Sequence, residues 1–202
     1  MSKRVYISAD YSEGSGDRDV VNVLQKWSDD NYHKVDFVDM SQVESGSVSE
    51  DKDCRPCDLK AEFNRQINAS SAVIFVVGDK TASRTAGSSC TRVGRSQYES
   101  SCTPYKQNTN GSKVCKVGST SNASEGNVGN INNYSYLRHE FEQAKKSNKK
   151  IIIVYNSLRS ESGWFPSYMK GYEDRAVPFW KRDINGNKVG NYAFIKEELG
   201  VE

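Results

Sequence analysis

The chain alternates short runs of β-branched and aromatic residues with stretches whose apolar positions recur every three to four residues, the contrast that separates strands from helices. Arg4-Val-Tyr-Ile-Ser8 reads as a strand, closed by the turn-rich segment from Ala9 to Gly16. Asp17 then stands where a capping residue is expected, ahead of Val20, Val21, Val23, Leu24 and Trp27 at helical spacing with polar residues between them. Lys34-Val-Asp-Phe-Val-Asp39 is a second strand, and Leu59, Phe63 and Ile67, four apart, mark a second helix. Ser71-Ala-Val-Ile-Phe-Val-Val77 is an almost unbroken apolar run, the pattern of a parallel strand covered by helices on both faces. Periodicity vanishes from about Ala82 to Asn133, where Gly, Ser, Asn and Thr dominate and large apolar residues are too few to offset the entropy of ordering the chain. That stretch reads as an insertion. Helical spacing returns at Tyr136, Leu137, Phe141 and Ala144, ends at Lys145-Lys-Ser-Asn148, and gives way to a fourth buried strand, Lys150-Ile-Ile-Ile-Val-Tyr155. Further on, Trp164-Phe-Pro166 and Pro178-Phe-Trp180 read as packed irregular segments, Asn185-Gly186 as a turn and Tyr192 to Leu199 as a terminal helix.

Strands alternating with helices of this length imply a parallel sheet with right-handed crossovers. A chain of 202 residues suits a single domain, residues 1–202, and an apolar share of only 36% agrees with an insertion over 82–133 that dilutes the core. The net charge of +2 gives no sustained field for a polyphosphate backbone, so nucleic acid is not expected as a partner. No apolar run has the length of a membrane span, and Met-Ser-Lys-Arg-Val leads straight into the first strand without a signal-peptide core. A soluble, cytoplasmic protein without a membrane partner is expected. Five cysteines, an odd number lying outside the strands, agree with a reducing compartment rather than a disulfide scaffold.

In an open parallel sheet, ligands bind in the crevice outside the carboxyl ends of the strands. At the first of these ends, Ser8, Asp10, Tyr11 and the glycines at 14 and 16 offer hydroxyls, a carboxylate and backbone donors, but neither a dinucleotide nor a phosphate-loop fingerprint is present. The second candidate is Tyr136-Leu-Arg-His-Glu140, near the start of the last core helix. Tyr136 and Glu140, four apart, share a helix face, and such a carboxylate could bind a ribose diol or stabilise an oxocarbenium-like centre as a glycosidic bond breaks.

Taken in order, Lys3-Arg-Val-Tyr-Ile-Ser-Ala-Asp-Tyr11, the Ser71 to Gly78 strand, and Tyr136-Leu-Arg-His-Glu140 before Lys149-Lys-Ile-Ile-Ile-Val154 resemble the TIR-like family of the Thoeris antiphage system. The resemblance covers roughly residues 3 to 156 without the insertion. It implies an α/β, flavodoxin-like or TIR-like parallel sheet with helices on both faces. It also implies cleavage of the nicotinamide–ribose bond of NAD, which enters as substrate with no resident cofactor, to give an ADP-ribose-derived signal, linear or cyclic. By the same resemblance Glu140 is the catalytic carboxylate, and Ser8, Ala9, Asp10, Tyr11 and Tyr136 border the substrate. Three departures stand out: Tyr136 replaces the usual tryptophan, Ala9 stands where relatives often carry an aromatic, and the long insertion enters just before the catalytic helix. The implied partners are NAD, further copies of the chain, a phage-derived trigger, and a downstream effector reached through the nucleotide signal.

Each of these readings has a plainer counterpart. Without the resemblance, Glu140 is a solvated carboxylate near Arg138 or His139, and His139, about 100° around the helix from Glu140, is a structural histidine. Asp17-Arg-Asp19 is a helix start with favourable acidic charge. Cys54-Arg-Pro-Cys57 has the gap of half a zinc site, but no second such pair occurs, so free thiols are expected and zinc is the alternative. A non-catalytic adaptor, using the same fold for self-association or partner binding, is the alternative function.

Overall fold

The computed structural model describes residues 3–10, 16–29, 35–39, 55–84, 106–107, 113–114 and 135–201. Its elements are β1 (Lys3–Ser8), α1 (Asp17–Ser28), β2 (Val35–Val38), α2 (Arg55–Ala69), β3 (Ala72–Val77), β4 (Lys106–Gln107), β5 (Lys113–Val114), α3 (Tyr136–Lys146), β6 (Lys150–Tyr155), β7 (Val177–Pro178), β8 (Trp180–Arg182), β9 (Lys188–Gly190) and α4 (Tyr192–Leu199). They fall into two compact units, one drawn from Met1–Ser41, Gln66–Ser83 and Phe141–Glu202, the other from Gln42–Arg65 and Arg84–Glu140. Within the predicted insertion, the second unit contains the antiparallel pair β4–β5.

The first unit is built on a five-stranded sheet in the order β2-β1-β3-β6-β7, parallel throughout. Counting only the strands of this sheet, the order is 2-1-3-4-5, that of the flavodoxin-like doubly wound fold. All six residues of β3 are buried, because β3 has β1 on one side, β6 on the other, and helices over both faces. Val5, Ile7, Ile74, Val76, Ile152 and Val154 alternate onto one face and share a core with Val20, Val21 and Leu24 of α1 and Ile195 and Leu199 of α4. On the other face Phe75 meets Phe141 of α3 edge to face, with ring centroids 5.4 Å apart, and Phe141 also packs on Tyr168 and Tyr172. Each such fully buried side chain stabilises the fold by about 1.5–3 kcal/mol. Asn148, with φ 48, ends the turn after α3 in the left-handed conformation that asparagine tolerates.

The irregular reading of Pro178-Phe-Trp180 is corrected. Val177 and Pro178 form a fifth parallel strand, pairing with Val154 and Tyr155, and Trp180–Arg182 forms an antiparallel hairpin with Lys188–Gly190 around the Asn185-Gly186 turn. Two residues are too few to show a period, and proline argues against a strand interior. β7 is an edge strand, however, where a missing N–H is tolerated.

Candidate functional site

The strand order reverses between β1 and β3, and the crevice outside the carboxyl ends at such a switch point is where doubly wound sheets bind ligands. Ser8, the last residue of β1, is wholly buried, while Ala9 and Asp10 are partly exposed; Tyr11 lies outside the described residues.

The residue that organises this end of the sheet is Asp17. It does not cap α1: Gly16 occupies the N-cap position at φ 74, and no side chain caps the helix. Asp17 is instead 1% exposed, and it accepts hydrogen bonds from the Asn156 side-chain amide and, at 3.3 Å, from the backbone N–H of Asp10. Asn156 is itself tied to β3 through its backbone N–H, which donates to the Val77 carbonyl at 3.0 Å. One carboxylate therefore joins the loop after β1, the start of α1 and the end of β6. Burial, with the Asp10 and Asp79 carboxylates adding to it against the opposing bonds from Asn156 and Asp10, raises the Asp17 pKa from 3.8 to about 7. A carboxyl that titrates near neutrality at a strand-end crevice is equipped to take or give a proton.

The neighbouring glycine is required by packing. A Cβ on Gly78 would stand 2.7 Å from both Asn156 Nδ2 and Asp17 Oδ1. Its N–H donates to Thr81 Oγ1 at 2.8 Å, so the turn after β3 passes close over the Asp17–Asn156 pair.

The second candidate cluster lies at the start of α3. Ser135 precedes the helix, and its Oγ accepts from the Arg138 N–H at 2.9 Å, satisfying a donor of the first turn. This cap fixes where the helix begins and so brings Tyr136 and Glu140 onto one face. The Tyr136 ring stands edge to face with Phe63 of α2, centroids 5.5 Å apart. His139 is buried, with its Nε2 2.8 Å from Asn64 Oδ1, which agrees with a structural histidine linking α2 and α3. Glu140 is 2% exposed. The solvated reading of this carboxylate is corrected: a charged side chain that could have faced water is buried.

The structure thus joins Asp10 to Asp17, whose sequence context is that of an ordinary helix start, and sets Tyr136 and Glu140 together on the first turns of α3. Among the described residues no group of three or more His, Cys, Asp or Glu could hold a metal ion; Cys54 and the side chain of Cys57 lie outside them. Nor is any helix among them long and apolar enough to cross a membrane.

Strand order, register and the helices on both faces define the class: an α/β protein of flavodoxin-like architecture. Comparison with models of known families, with curated proteins and with solved structures finds no match to this chain.

Proposed function

We propose that this chain is a TIR-like enzyme that consumes NAD, breaking the nicotinamide–ribose bond with Glu140 as the key carboxylate and releasing an ADP-ribose-derived signal in antiphage defence. The observation that carries the reading is the burial of Glu140 on the helix face it shares with Tyr136. Burying a carboxylate costs several kcal/mol unless it is compensated, and a charge held out of water stabilises an oxocarbenium-like centre far better than a solvated one. The four-residue spacing lets Tyr136 offer an aromatic edge to the ring that the carboxylate faces. The flavodoxin-like sheet, with its crevice at the strand ends, is a further support, since folds of this class take nucleotides there.

Purified protein incubated with NAD, with and without lysate from phage-infected cells, should release nicotinamide, and mass spectrometry of the mixture should find the ADP-ribose-derived product. Glu140→Gln, which keeps the shape and removes the charge, should lower the rate at least 100-fold. Undiminished release by this variant would remove Glu140 from the chemistry. No release under any triggering condition would leave the non-catalytic adaptor as the function.

A further inference from the structure

A second concave surface is lined by none of the residues named in the proposed reaction. Past the carboxyl ends of β6 and β7, a cleft of about 400 Å³ is lined by Leu158, Pro178, Trp180, Lys181, Arg182 and Asn191. Its size falls within the range of small-molecule sites.

One part of its lining is apolar. Leu158 is 44% exposed, one of only two large hydrophobic residues among those described that stand open to solvent, and it does so beside Pro178 and the Trp180 indole. An isolated exposed leucine is unremarkable, but this one stands at a cleft whose wall also includes Pro178 and the nearly buried Trp180, which gives the cleft an apolar side.

The remaining lining is an excess of hydrogen-bond donors and positive charge. Lys181 and Arg182 are exposed, and Lys188 carries its Nζ 4.1 Å from the centroid of the Trp180 ring. None of these three cations has a carboxylate within 4.0 Å among the described residues. Arg182 gives one N–H to the Gly186 carbonyl at 2.7 Å, a neutral acceptor that leaves its charge unbalanced and its other donors available. The Asn191 backbone N–H is taken by the Phe179 carbonyl at 2.6 Å, while its side-chain amide has no partner among the described residues.

We infer that this cleft binds a small planar organic anion, its ring lying against Trp180, Pro178 and Leu158 and its anionic oxygens facing Lys181, Arg182 and the Asn191 amide. An aromatic carboxylate, sulfonate or phosphate shares this chemistry. The oxygens supply acceptors that the protein lacks there, and the ring covers the apolar surface that water covers poorly. Lys188, over the indole from outside the lining, adds to the positive potential.

Isothermal titration of the whole chain with naphthalene-2-sulfonate tests this, with the neutral 2-naphthalenemethanol as the matched uncharged ring. The sulfonate should bind at one saturable site with a dissociation constant near 1 mM or below, as expected for a ligand of this size. The neutral alcohol should bind at least fivefold more weakly. Lys181→Gln with Arg182→Gln should weaken sulfonate binding severalfold, and Lys181→Glu with Arg182→Glu at least tenfold, with unchanged circular dichroism because both side chains are exposed. Leu158→Ser should weaken sulfonate and alcohol alike. An absence of saturable binding up to about 10 mM, equal affinity for sulfonate and alcohol, or binding unmoved by charge reversal would each overturn the assignment.

Discussion

Titrating Asp17 should reshape the pH dependence of stability. Its pKa is 3.8 when unperturbed and about 7 in the folded chain, where burial penalises the ionised form. A raised folded pKa means that the folded state holds the proton more tightly than the unfolded one between those two values. The stabilisation is therefore complete below about pH 4, falls by about 1.4 kcal/mol for each pH unit through the interval, and is gone above about pH 7. Over the whole interval the contribution is on the order of 4 kcal/mol, of which more than half is lost between pH 5 and 7. Asp17→Asn removes the titration and keeps the volume, although either the new amide or that of Asn156 must turn to present its oxygen to the other. Urea unfolding of both proteins at intervals from pH 5 to 8 isolates the effect, because groups that titrate independently of Asp17 cancel in the difference. Near pH 5 the variant should equal the parent or be about 1 kcal/mol less stable, having lost one hydrogen bond. By pH 8 it should be the more stable of the two, the difference having moved by about 2–3 kcal/mol. A difference that stays constant within about 0.5 kcal/mol across this range would refute the reasoning.

Two further outcomes rest on the same geometry. Gly78→Ala places a methyl 2.7 Å from both Asn156 Nδ2 and Asp17 Oδ1, and a thermal melt should find the variant destabilised by about 1–3 kcal/mol. His139→Ala and Asn64→Ala each strand a polar partner of the 2.8 Å bond between α2 and α3; each should cost about 1–3 kcal/mol, and a double-mutant cycle by chemical unfolding should return a coupling of about 1 kcal/mol.

The sheet was legible wherever residues were buried on both faces. Six consecutive apolar residues in β3 leave no alternative to a central parallel strand, and the spacing of Val20, Val21 and Leu24 marks the buried face of α1. Strand β7 was hidden, since Val177 and Pro178 are a strand only because Val154 and Tyr155 lie beside them. Asp17 was hidden for a deeper reason. A carboxylate at a helix start is ordinary, and what ties this one down is a hydrogen bond from Asn156, 139 positions away, a closure that no local pattern records. Glu140 was picked out by its spacing from Tyr136, but its burial depends on what surrounds α3, and periodicity counts any glutamate as a polar position. The cleft beside Trp180 gave no motif at all, because its lining comes from three separated segments around Leu158, Pro178–Arg182 and Asn191.

The pairing of β3 with β6 sets the order in which this chain can fold. Val5 and Ala72 are brought into register by a stretch that itself contains α1, β2 and α2, which can organise as they form. Ala72 finds Lys150 only after the chain from 78 to 149 has looped back. Loop-closure entropy grows with the logarithm of length, so stretching a crossover from about 25 residues to about 70 costs only about 1 kcal/mol. The toll falls on speed as well, because a long-range pairing must be closed before its contacts reward it. The half-sheet β2-β1-β3 is therefore expected to form first and to present the β3 edge as a template, with β6 docking afterwards. A long segment inserted at this crossover delays the docking of β6, and of β7 that pairs with it, and leaves the earlier pairings untouched.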